Sequence, residues 1–280
     1  MGEAGLFRIA LVCALIAALA VVGGPQLHRF GGRYILRDHD HEEVMTCEPV
    51  AAPAKTVRVL FVGNSLTFAN DLAAMLVNIA SSDPGNATKL EVKAVTTPGV
   101  NLNTMLTQTG ALAWAQTHHV DFVVLQEHSG WYETQPGVDE AKQDAADWRD
   151  ALLSLNEAPI LFQVWADSAE SSVYSTNGYA TFGKTVQEDA NDASVSTLNL
   201  GRRLGLPIVA VGQAFARAMR TAGAPDVVGP DHHHPSVAGT YLAALMFYRT
   251  FTKRSGSEAT YWPWGMSAAD AATLVQLSTE

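Results

Sequence analysis

Five short runs rich in β-branched and apolar residues recur along the chain between longer segments of helical period, and this alternation constrains the fold more than any other feature. They are VRVLFV (57–62), LEVKAV (90–95), DFVVLQ (121–126), PILFQVW (159–165) and PIVAVG (207–212). The runs are apolar on both alternating faces, as strands buried on both sides are. Between and after them, the spacing predicts helices near 69–82, 102–118, 139–156, 179–204, 236–253 and 267–277. Strands joined through helices pair in parallel by right-handed crossovers, so the expected fold is a three-layer α/β/α sandwich around a five-stranded parallel sheet. At 280 residues, 48% of them hydrophobic, the chain can fill one such core.

Ligands of open parallel sheets collect beyond the carboxyl ends of the strands, so the loops after the first three strands are where chemistry is sought. The first strand breaks at Gly63-Asn64-Ser65. A serine there suits a helix N-cap, where its hydroxyl accepts from the amide of the second or third helical residue. It also suits a nucleophile, provided a base comes from elsewhere. The Gly-x-Ser-x-Gly elbow is absent, because Thr67 stands where its last glycine would be. A base is on offer in GPDHHHPSVAGTYLAAL (229–245), which sets Asp231 three residues before His234 in front of a helix. Such a loop can put a carboxylate on one ring nitrogen and leave the other for a serine. Capping roles for His234 and Ser236 are the alternative. A metal site in the His232-His233-His234 run is disfavoured, because three consecutive imidazoles cannot readily turn to one ion. No metal and no cofactor is expected.

The first motif, VLFVGNSLTFAND, and the last, DHHHPSVAGTYLAA, together resemble the SGNH (GDSL-type) hydrolase superfamily over about residues 57–251. That resemblance implies a flavodoxin-like sandwich with Ser65 as nucleophile, His234 as base and Asp231 orienting it, with Asn64 where the founding motif carries Asp. It also implies an oxyanion hole built from the Ser65 and Gly99 amides. The Gly-x-Asn-Asp block expected after the third strand is missing, and the chain reads VVLQEHSG (123–130) instead. Some carbohydrate-acetyl esterases of the superfamily carry Gln-Gly-Glu there, which nominates the Gln126 side-chain amide as third donor; the alternative is that Gln126 merely ends a strand. The expected function is an exported serine esterase working through an acyl-enzyme on small or carbohydrate-borne acyl esters. An O-acyltransferase of envelope or extracellular polysaccharide, or an idle binding module of the same fold, are the alternatives. Trp131 and Tyr132 are candidate substrate walls, Trp114, Trp148 and Trp165 candidate packing residues, and YWPWG (261–265) a candidate covering loop.

The N-terminus reads as a separate module. Residues 9–22, IALVCALIAALAVV, are uninterruptedly apolar and are followed by Gly-Gly-Pro. That is shorter than the ~20 residues that span a bilayer and fits the ~7–15 of a signal-peptide core. An N-terminal apolar helix within 1–23 is expected, as a cleaved signal or as an anchor through residues 6–23, and with it an exported protein. Residues 24–56 read as a linker, and 57–280 as the hydrolase-like domain. The tract DHDHEE (38–43) reads as a solvated strip rather than a metal site. Cys13 and Cys47 are the only cysteines, too few for a disulfide framework or a cysteine zinc site in the domain. A net charge of −10 without a Lys/Arg run argues against a nucleic-acid partner.

Overall fold

A computed structural model of the chain describes residues 55–279, together with the backbone of three short strands that precede them. Those strands, β1 (Gln26–Phe30), β2 (Arg33–Arg37) and β3 (Glu42–Met45), form an antiparallel sheet in which Leu27 faces Leu36 and Ile35 faces Val44. They lie in the segment expected to be a linker. The apolar helix expected in residues 1–23 lies outside the described residues, as do Cys13, Cys47 and the side chains of the 38–43 tract. Among the described residues, no helix is long and apolar enough to cross a membrane.

The second sheet has the five expected parallel strands in the order β5-β4-β6-β7-β8. They are β4 (Lys55–Gly63), β5 (Thr88–Thr96), β6 (Phe122–Leu125), β7 (Ala158–Phe162) and β8 (Ile208–Val209). The interior strands β4, β6 and β7 are buried almost throughout their apolar residues, whereas the edge strand β5 carries Lys89, Glu91 and Lys93 and stays partly exposed. In register, Val62 on β4 sits between Val95 on β5 and Leu125 on β6, so three strands end level with one another. The chain must leave all three at one rim, and that rim is where the site forms.

The helices are α1 (Ser65–Phe68), α2 (Leu72–Ser82), α3 (Leu102–Gln108), α4 (Ala111–His118), α5 (Gln135–Leu153), α6 (Val186–Leu204), α7 (Val211–Arg220), α8 (Val237–Thr252) and α9 (Ala268–Thr279). In their packing α2 meets α8, which meets α7 and α9, while α3 meets α5, and α6 touches both α5 and α7. Phe247 of α8 makes edge contacts with Phe61 of β4 and Phe162 of β7 at 4.8 and 4.9 Å between ring centres, which seats that helix on the sheet.

Three helical expectations change in detail. The helix expected over 102–118 is two, because Gly110 adopts φ +74°, which ends one turn and starts the next. The helix expected from residue 179 begins at Val186, where Thr185 and Glu188 form a reciprocal capping box. The fifth strand is only two residues long, and the tail of its run opens α7, which the sequence reading missed. Gly212 explains the junction: a Cβ there would lie 2.0 Å from the Val164 carbonyl oxygen, so the helix starts against the backbone beyond β7 only because the residue is glycine.

Candidate active site

The turn after β4 is built around Asn64 rather than Ser65. The Asn64 side-chain oxygen accepts from the Leu66 amide at 3.2 Å and thereby caps α1, while its side-chain nitrogen donates to the Val100 carbonyl at 3.1 Å. An aspartate could do the first but not the second. With the cap supplied by its neighbour, Ser65 is the first helical residue, and its hydroxyl is released from capping. That hydroxyl lies 2.8 Å from His234 Nε2.

Across the rim, Gly229 and His232 close a tight turn that carries His234. The His234 Nδ1 atom is 2.7 Å from Asp231 Oδ2, and Asp231 Oδ1 accepts from the backbone amides of His233 and His234 at 3.1 and 3.0 Å. A carboxylate only accepts, so Nδ1 carries the proton there and Nε2 is left to accept from Ser65. Partial burial works to raise the Asp231 pKa, but the His234 ring and the two amides outweigh it and hold the carboxyl below its ordinary value. The three residues expected to act together are therefore joined in one hydrogen-bonded line.

The neighbouring histidines are turned elsewhere. His232 meets the Ser168 hydroxyl at 2.9 Å, and His233 Nδ1 meets Asp167 at 2.7 Å, a bond that raises the His233 pKa. Trp165, besides stacking on Phe215, donates from Nε1 to the His233 carbonyl at 3.1 Å. The loop after β7 thus fixes the back of the histidine loop. Among the described residues, no group of three or more His, Cys, Asp or Glu side chains is placed to hold a metal ion.

Of the expected oxyanion donors, the backbone amides of Ser65 and Gly99 take no protein acceptor among the described residues. Gly99 has φ +66°, a conformation that favours glycine. The structure gives Gln126 a different job from the donor expected of it. Its side chain is 1% exposed, and its oxygen accepts from the Asn64 amide at 2.9 Å and the Thr67 hydroxyl at 2.8 Å. Its nitrogen donates to the Glu127 carbonyl at 2.6 Å. Gln126 is a brace beneath the Ser65 turn, and Gly63 lets it in, since a Cβ on Gly63 would fall 2.6 Å from that oxygen. Tyr132 is also corrected: it is buried, so it is no substrate wall. Trp131 is partly buried and packs on His128 with ring centres 4.8 Å apart. Trp148 and Trp165 are buried as expected, whereas Trp264 of the 261–265 loop is 100% exposed.

No protein-family model and no curated protein matches the chain. Solved structures do. A protein from Slackia heliotrinireducens assigned to the SGNH hydrolases is 26% identical, with a TM-score of 0.57 over 70% of this chain and 99% of that one. The chain belongs to the SGNH (GDSL-type) hydrolase superfamily. Two likenesses of lower identity share the fold alone. A DUF4886 family protein from Bacteroides uniformis is 15% identical at a TM-score of 0.66, covering 80% of this chain and 93% of that one. The lipase/acylhydrolase from Enterococcus faecalis is 14% identical at a TM-score of 0.50, covering 71% and 96%.

Within this SGNH-type site, sequence reasoning missed Asn70. Its φ of +53° and that of Asp71, +54°, place two consecutive non-glycine residues in the left-handed region, which asparagine and aspartate tolerate best. The gain is a latch, since the Asn70 side chain donates to the Pro235 carbonyl and the Thr240 hydroxyl, both at 3.0 Å. It ties the serine segment to the residue after His234. Asn70→Ala is expected to lower kcat by roughly tenfold while costing about 1–2 kcal/mol of stability, checked by steady-state kinetics beside urea unfolding. Unchanged kcat in the variant would show that the latch does not set the Ser65–His234 spacing.

Proposed function

We propose that the chain is an exported serine esterase that cleaves small or carbohydrate-borne acyl esters through an acyl-enzyme. The observation that carries this reading is the line from Ser65 Oγ to His234 Nε2, 2.8 Å, and from His234 Nδ1 to Asp231, 2.7 Å. Ser65 attacks the acyl carbonyl as His234 takes its proton, and Asp231 steadies the imidazolium that results. The Ser65 and Gly99 amides, which have no protein acceptor among the described residues, stabilise the oxyanion of the tetrahedral intermediate. His234 then returns the proton to the departing alcohol, and water, activated by the same ring, releases the acid. The apolar residues 9–22 support the extracytoplasmic placement.

The test is a panel of acyl esters given to the purified protein with and without a polysaccharide acceptor. Release of free acid irrespective of acceptor is the expected result. Acyl groups appearing on the polysaccharide instead would make the protein a transferase, and no turnover of any ester would make it a binding module.

A further inference from the structure

Consecutive residues of an extended chain point to opposite sides, and the dipeptide after β6 uses both. Gln126 reaches toward the Ser65 turn, as described, and Glu127 reaches toward the loop between β5 and α3. Glu127 is 1% exposed, yet among the described residues no cation stands against its carboxyl. Its Oε1 accepts from the Leu102 amide at 3.2 Å and from the His128 amide at 2.6 Å. Its Oε2 is buried and receives no donor from the described residues. Facing it from α5 is Asp144, 3% exposed, whose Oδ2 accepts from the Asn103 amide at 3.2 Å.

The Glu127 and Asp144 carboxyls are neighbours, since they hold the amides of the consecutive residues Leu102 and Asn103. Two buried carboxylates side by side repel each other, and the Glu127 Oε2 that meets no donor would be an uncompensated buried charge, so one carboxyl keeps a proton. Resting on the reading of Ser65 as nucleophile, we propose that Glu127 and Asp144 share one proton, and that this pair is the clamp holding the two loops beside Ser65 in their working arrangement. Glu127 is thus a positioning residue. It binds the β6 loop to the start of α3, while Asn64 binds the same β5–α3 loop to the Ser65 turn through Val100. Gly99 directly precedes Val100, the first of the two tied residues.

The surroundings favour the neutral form. Burial raises the Glu127 pKa, the His128 and Leu102 amides work against that, and the charge on Asp144 adds to it, with a net value of about 8. Asp144 is likewise raised, by its own burial first, with Glu140 and Asp147 on the same helix contributing. The remaining neighbours are Tyr132, whose pKa rises by burial and by both carboxyls, and His128, lowered by burial and then by the charge of His233. None of them offers Glu127 a positive charge to balance ionisation.

The sign follows from linkage. A carboxyl raised from 4.5 to about 8 holds its proton in the folded state over a range where the unfolded chain has lost it. Its contribution to stability is therefore fully present below about 4.5 and is lost as pH rises toward 8 and beyond. Ionisation above that point would put a second negative charge beside Asp144 and loosen both loops.

Glu127→Gln separates charge from shape, since the amide oxygen can still take the two backbone amides and its nitrogen can donate to Asp144 permanently. In the wild type, kcat on a chromogenic short-chain ester is expected to fall about tenfold between pH 7 and pH 9, as a group of pKa about 8 ionises. Glu127→Gln should keep kcat within about threefold of wild type at pH 7 and lose almost none of it by pH 9. An infrared band of a protonated carboxyl, present in the wild type at pH 7 and titrating near 8, should be missing in the variant. Coincident alkaline limbs, or a folded Glu127→Gln protein inactive at pH 7, would overturn the proposal. So would the absence of the band in the wild type, a measurement that needs no variant to fold. Ser65→Ala keeps the band whether or not Ser65 is the nucleophile, so failure of the clamp and failure of the esterase reading give different results.

Discussion

Ser65→Ala and His234→Ala should each lower kcat by on the order of 10³-fold or more, with the folded state intact by circular dichroism. Each substitution removes an end of the same 2.8 Å contact, and the serine variant leaves no atom to form the acyl bond. Their combination should cost little beyond either alone, because a line of proton transfer fails as a unit. A fluorophosphonate should label Ser65 stoichiometrically in the wild type and in neither variant. The neighbouring histidines provide the contrast. His232→Ala loses one bond to Ser168, and His233→Ala loses Asp167, so each should cost less than about tenfold. Chelator should leave the rate unchanged. A rate that survives Ser65→Ala and vanishes with EDTA would indicate metal-bound hydroxide as the nucleophile and overturn the serine mechanism, leaving the superfamily membership as it stands.

How much of this was legible in the sequence depends on how local each signal is. The parallel sheet was legible because buried strands of such a sheet are apolar on both faces, and Val57 to Val62 or Val123 to Leu125 can be little else. The positions of Ser65, Asp231 and His234 were legible through two motifs that each fit inside a single loop. What escaped depends on pairs distant in sequence. Gln126 resembles an available amide until Asn64 and Thr67, about sixty positions earlier, are seen to occupy its oxygen. Asn70 carries no local signal at all, since its partners Pro235 and Thr240 lie 165 and 170 positions away. The missed helix α7 is a different failure: its buried residues Val211, Ala214, Phe215 and Ala218 do follow helical spacing, but the preceding valines invited a longer strand. The expected helix over 102–118 failed in the same local way, for a glycine inside a periodic pattern leaves open whether the backbone turns.

Trp148→Ala should produce the largest loss of stability of any single truncation near the site, about 3–5 kcal/mol. The side chain is 0% exposed, so its truncation removes a large volume from a close-packed interior. It also carries a polar tie, because its Nε1 donates to the Leu102 carbonyl at 2.9 Å. Four residues earlier, and so on the same face of α5, Asp144 takes the Asn103 amide. One helix face therefore grips two consecutive residues at the start of α3, directly after the loop that presents Gly99. Trp148→Phe keeps most of the ring and loses the tie, so it should cost a smaller 1–3 kcal/mol, roughly, in denaturant unfolding. The useful comparison is between the two variants after each has been brought to the same fraction folded. If the grip positions the loop, Trp148→Phe should still show a severalfold lower kcat with little change in KM, since the donor it displaces acts on the transition state rather than on bound ester. Full kcat in Trp148→Phe would mean that the tryptophan only fills space, and that Asp144 and Glu127 hold the loop without it.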